Sequence, residues 1–110
     1  MNAKQFAAYL RRDTGCIHCG VVDTAIPHHR ANRGMGSMKS LNRPSNIIVM
    51  CSEVNGLMES DAEWATRARD FGWKISKHSN PEFEPVYYPL EGQWFYLDDL
   101  FERAVLYKTL

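Results

Sequence analysis

No other stretch constrains the fold of this chain as much as Asn46-Ile47-Ile48-Val49-Met50, a β-branched run between Pro44-Ser45 and Cys51. Branched side chains pack well on a pleated surface and lose rotamer freedom in a helix, so the run predicts a strand. A strand needs a partner, and the segment that carries Pro27-His28-His29-Arg30 supplies one, with residues 21–26 leading into it as a strand. Downstream, Ser52 can cap a helix whose apolar positions Val54, Leu57, Met58, Ala62, Ala65 and Ala68 fall on one stripe that ends at Gly72. Gly56, in its first turns, lowers helix stability by about 1 kcal/mol relative to alanine, which points to close packing against a backbone.

The flanks are simpler. Residues 5–12 place Phe6, Tyr9 and Leu10 on one side of a short helix, and Asp13-Thr14-Gly15 ends it. Beyond the central helix, residues 73–75, 86–88 and 94–96 predict short strands, with Gly92 in a turn. Asp98 is placed to cap a final helix from 99 to about 107, with Leu100, Phe101, Ala104 and Val105 on its apolar face. A chain of 110 residues forms one domain with a modest core. The fold class is α+β: an N-terminal helix and cysteine knuckle, a core over about 16–72, and an extension over about 73–110 built from a β-hairpin and a helix. No apolar run is long enough to span a bilayer, and the first residues lack a signal peptide's apolar stretch, so an intracellular protein is expected.

A net charge of zero argues against a generic nucleic-acid coat, but the charge is unevenly divided. Through Ser45 there are seven lysines and arginines against two acidic residues, and after it six against eleven, so +5 is followed by −5. Residues 30–44 form a loop with four basic residues, Arg30, Arg33, Lys39 and Arg43, and no acidic one. Gly34 and Gly36 let its backbone approach a partner closely, and its cations suit a phosphate chain.

Three cysteines are an odd count for a disulfide framework. Cys16-Ile17-His18-Cys19 has the spacing of a knuckle in which two thiolates grip one tetrahedral ion, and Cys51 is a third sulfur. Zinc on three thiolates with a fourth ligand such as His18 is one reading; three small buried cysteines is the other.

The histidines carry the chemistry. Phosphodiester hydrolysis needs an activated water in line with the leaving oxygen and a cation to absorb charge, roles open to an imidazole and a divalent ion. An imidazole suits the first because its unperturbed pKa lies near neutrality. The order of strand, basic loop, Asn46, strand and a helix bearing Asn55 resembles the HNH endonucleases, a family with the ββα-metal (His-Me finger) fold. The resemblance covers roughly residues 16–72, and its wider pattern is similar to small bacteriophage-encoded members, with asparagine at the third motif position where histidine is usual.

The resemblance implies a metal-dependent DNA endonuclease in the cytoplasm of a bacterial host, with a nickase as one form of it because one such site cuts one strand. In it His28 and Asn55 are metal ligands, His29 is the general base, and Asn46 ties the loop to the strand and helps orient His29. A neutral His–Asn pair leaves an ion's charge largely uncompensated, so weakly bound magnesium or manganese is expected. Arg30 can clamp the scissile phosphate through its planar fork, and Arg33, Lys39 and Arg43 are expected to touch DNA phosphates. A homodimer or a phage packaging protein is a candidate partner on the family's neighbourhood alone. The competing reading is a phage protein that keeps the fold, binds DNA or a partner, and does not cut; Asn55 in place of histidine and Val54 in place of a fourth cysteine keep it open.

Strand geometry sets a condition. Successive side chains point to opposite faces, so His28 and His29 cannot both line one site in an undisturbed strand. The strand must end or bulge at the pair.

Overall fold

The structure, a computed structural model, describes residues 1–32 and 41–106. Strand β2 (Ile47–Cys51) is buried at all five positions, and the other elements cover its two faces. Ile48 and Met50 pack with Ile17, Val54, Met58 and Trp73, while Ile47 and Val49 pack with Tyr9 on α1 (Ala3–Asp13). A strand covered on both sides needs no polar face, which is why the run is continuously apolar.

Strand β1 (Ala25–His29) pairs antiparallel with β2, in a register that sets Pro27 opposite Val49 and His28 opposite Ile48. Proline has no N–H to give, and here none is needed. Val49 turns its amide to Asp13 (3.0 Å) and its carbonyl to the Ile17 N–H (3.0 Å), away from β1. Asp13 also takes the Tyr88 hydroxyl (2.6 Å) and the Arg12 guanidinium, tying the end of α1 to both sheets.

The expected long helix is two helices, α2 (Ser52–Ser60) and α3 (Ala62–Asp70). Asp61 is extended between them, and its carboxylate accepts the Trp64 N–H at 3.1 Å, so it starts a second helix. Ser52 is inside α2; the capping acceptor is the Cys51 sulfur, 3.4 Å from the Val54 N–H. Gly56 does not lie against a backbone: a Cβ there would meet nothing within 4 Å.

The C-terminal part is a second antiparallel sheet, β3 (Val86–Tyr88), β4 (Gln93–Leu97) and β5 (Arg103–Val105), in that order. Its third strand stands where a helix was expected. The Asp98 carboxylate accepts from the N–H groups of Leu100 (2.8 Å) and Glu102 (3.0 Å), and Phe101 has φ +60°, so this cap-like residue closes a turn. Residues 73–75 form no strand; Ile75 makes a single parallel bridge to Ala31. The described residues thus form an α+β domain with three helices and two small antiparallel sheets, and none of the helices is long and apolar enough to cross a membrane.

Candidate active site and cysteine cluster

Strand β1 ends at His29 without a bulge; the register runs unbroken through His29 opposite Ile47. The two side chains therefore leave on opposite faces, His28 toward α2 and His29 toward α1. Both nevertheless border one cavity of about 260 Å³, together with Pro27, Asn32, Asn55, Glu59 and Lys74. Pairing continues one hydrogen bond past them, from the Arg30 N–H to the Asn46 carbonyl (2.8 Å), so the expected break in the strand is absent and the two rings reach the cavity from opposite faces of the edge strand.

His28 is 7% exposed and has a partner at each ring nitrogen. Nε2 lies 2.8 Å from the Trp73 carbonyl, and Nδ1 lies 2.9 Å from Asn55 Oδ1. Burial pushes its pKa below the ordinary histidine value, more than the Trp73 and Asn55 hydrogen bonds raise it, and the charge of Lys74 lowers it further. A neutral imidazole has one N–H, and only Nε2 faces a group that must accept. Nδ1 therefore holds its lone pair toward Asn55.

His29 is half-buried, with Nε2 2.8 Å from Asn42 Oδ1. Donation from Nε2 leaves the lone pair of the neutral ring on Nδ1. Asn46 is fully buried and pins both ends of the loop between the strands: its Oδ1 accepts the Ala31 N–H (2.8 Å), and its Nδ2 donates to the carbonyls of Leu41 (2.9 Å) and Ala31 (3.2 Å). By holding Leu41 it fixes the residue beside Asn42, and so acts on His29 at one remove.

Arg30 is not where a phosphate clamp would be. It is 1% exposed, and its guanidinium donates to the carbonyls of Gly72 (2.8 Å), Ser45 (2.8 Å), Pro81 (3.1 Å) and Glu84 (2.7 Å). Burial pushes its pKa down to about 10, which leaves it charged at neutral pH. Its work is to staple the 81–84 segment to the core. Arg43 is paired with Glu82 (2.6 Å) and Asp99 (2.7 Å). Arg33 and Lys39 lie outside the described residues. The cation that borders the cavity is Lys74, paired with Glu59 at 2.7 Å.

The sulfurs of Cys16, Cys19 and Cys51 lie within 4.8 Å of one another and could hold a metal ion. Tetrahedral zinc sets its sulfur ligands about 3.8 Å apart, so the cluster needs little contraction to grip one. Gly15 closes the knuckle at φ +127°, where a Cβ would sit 2.6 Å from the Gly20 carbonyl oxygen. Burial raises the Cys16 thiol, but N–H donors from Cys19, His18 and Cys51 outweigh it and bring the pKa below the ordinary value. Burial and the charge of Cys16 push Cys51 up to about 11. His18 is not part of the group; its ring packs edge-on against Trp64 (5.4 Å) and Trp73 (6.2 Å), and its buried Nδ1 has no hydrogen-bond partner among the described residues.

Three participants escaped the sequence reading: Asn42, the Trp73 carbonyl, and the Glu59–Lys74 pair. Glu59 stands one helical turn beyond Asn55, a spacing that sequence can show. A backbone carbonyl carries no such signal. No protein-family model, curated protein or solved structure matches this chain.

Proposed function

We propose that the protein is a metal-dependent endonuclease that hydrolyses DNA phosphodiester bonds at the cavity bordered by His28, His29 and Asn55, on a fold of the ββα-metal type. One observation carries the reading: His28 Nδ1 and Asn55 Oδ1 approach to 2.9 Å beside a second histidine, while His28 Nε2 meets the Trp73 carbonyl. With the ring proton on Nε2 both atoms are lone-pair acceptors, and a cation between them relieves their repulsion. Adjacent ligands of an octahedral magnesium or manganese ion, bound at about 2.1 Å, are about 3.0 Å apart.

Donation from Nε2 to the Trp73 carbonyl leaves His28 Nδ1 free to be a ligand, and donation from Nε2 to Asn42 Oδ1 would leave His29 Nδ1 free to be a base. The bound ion would draw charge from the phosphoryl oxygens. His29 takes the proton of the attacking water at Nδ1, a role that contributes roughly 10²- to 10⁴-fold. Lys74 is placed to meet the phosphate once it leaves Glu59. The three thiolates would hold a structural zinc ion whose knuckle packs, through His18, on Trp73.

A second reading has its own observation. An Asn55 amide turned to offer Nδ2 satisfies His28 Nδ1 without an ion, as a binding protein that does not cut would require. Titration with Mn²⁺ followed by electron paramagnetic resonance separates the two. The endonuclease reading expects one weak site lost in both His28→Ala and Asn55→Ala, with nicking of supercoiled plasmid by the wild type; no such site and no nicking would refute it.

A further inference from the structure

His29 also borders a second, larger cavity. This groove of about 810 Å³ runs between α1 and the end of β1, and Lys4, Tyr9, Pro27, Asn42 and Phe101 line it with His29. Its walls are apolar and aromatic, and its polar groups, Lys4 and Asn42 among them, suit a sugar-phosphate backbone. Phe101 is 37% exposed and meets Tyr9 edge-to-face at 4.9 Å. It is held there at φ +60°, an uncommon conformation for a bulky residue, by the Asp98 turn.

We infer that this groove receives an unpaired nucleobase of the nucleotide next to the scissile phosphodiester, stacked against Phe101 in a pocket that shares His29 and Pro27 with the metal cavity. The inference rests on the endonuclease reading and gives it a substrate class: DNA with a flap, bulge or mismatch beside the cut. Three features specify a base. The groove shares His29 and Pro27 with the cavity as wall residues, it is wide enough for a nucleotide, and it combines aromatic walls with a nearby lysine. In a fully paired duplex every base is stacked in the helix, so the groove stays unfilled and the phosphate is less well placed.

The test uses duplexes carrying 2-aminopurine at a paired or an unpaired position, with wild type, Phe101→Ala and Ala8→Trp. Ala8 lines the groove on the α1 side, so the last variant fills it from there, and circular dichroism checks that each variant is folded. With EDTA present, binding of the unpaired probe should quench its fluorescence in the wild type and in neither variant. With Mg²⁺, the wild type should cut the unpaired substrate about tenfold faster than the paired one, and the ratio should fall toward one in both variants. Quenching without cleavage keeps the groove and removes the nuclease reading. Cleavage with neither quenching nor preference keeps the nuclease and overturns the groove. A shift from dimer to monomer in Phe101→Ala, with no change in preference, would make the groove a contact between two copies and also overturn the inference.

Discussion

Arg30 and His28 are buried polar residues two positions apart with different work: the first holds backbone carbonyls, the second faces a cavity. Every donor direction of Arg30 that the structure records ends on a carbonyl. Arg30→Met should therefore lower folding stability by about 3–5 kcal/mol in urea unfolding, because four carbonyls lose their donor at once. Cleavage per folded molecule should persist. A stable Arg30→Met protein that has lost only cleavage would restore the phosphate clamp expected from sequence. The clamp was a fair expectation, since arginine beside two histidines suits a phosphate; what overrides it is four carbonyls, 15 to 54 residues away, that no side-chain pattern announces.

Elements were legible where local chemistry and packing agree. β2 reads as a strand from its own branched residues, and α1 from the spacing of Phe6, Tyr9 and Leu10. The break at Asp61 was hidden because the apolar stripe continues in phase from α2 into α3, while a single side chain decides that a new helix starts. The last strand was hidden because Asp98 offers the same acceptor to a helix or to a turn; pairing of Val105 with Phe95 chooses the turn.

Two element-scale predictions follow from the glycines. Gly56→Ala, exposed in α2 with open space around its Cβ, should stabilise the protein by about 0.5–1 kcal/mol, read as a higher Tm. Gly72→Ala should do the opposite and cost several times more. Gly72 sits at φ +74°, and a Cβ there would lie 2.1 Å from the Pro85 carbonyl oxygen.

Asp99 joins the turn before β5 to the turn before β2, accepting from Arg43 (2.8 Å) and from the Ser45 hydroxyl (2.6 Å) and amide (3.0 Å). Burial raises its carboxyl, but these donors outweigh it and hold the pKa well below the usual carboxylate range. The stability it contributes is present above the unfolded pKa of about 3.9 and is lost as pH falls below it toward the folded value. Asp99→Asn should show a smaller loss of urea midpoint between pH 6 and pH 3 than the wild type; an equal loss would remove the link.

On the scale of the whole molecule, the two proposed ions have different jobs. Cys16 and Cys51 share a core with Trp73, whose carbonyl meets His28 Nε2, so loss of zinc should loosen the proposed active site without emptying it of ligands. A zinc chelator, or Cys51→Ser, should lower Tm and weaken Mn²⁺ binding together. Zinc uptake should release protons and weaken as pH falls, because each thiol must ionise to bind. A zinc-free protein with unchanged Tm would leave the cysteines as packing residues.

The division of charge also changes meaning at this scale. The basic first part of the chain and the acidic second part are tied together by ion pairs. Arg43 reaches Glu82 and Asp99 in the extension, which spends one of the cations assigned to DNA on holding the chain together.

The central claim is that His29 activates water beside an ion held by His28 and Asn55. Nicking of supercoiled plasmid by wild type, His29→Ala and Asn55→Ala, across a Mg²⁺ and Mn²⁺ series, tests it most directly. The expected result is metal-dependent nicking by the wild type, a rate lower by roughly 10²- to 10⁴-fold in His29→Ala with Mn²⁺ binding retained, and loss of both binding and nicking in Asn55→Ala. Nicking by His29→Ala at the wild-type rate, or nicking by the wild type that survives EDTA, would contradict it.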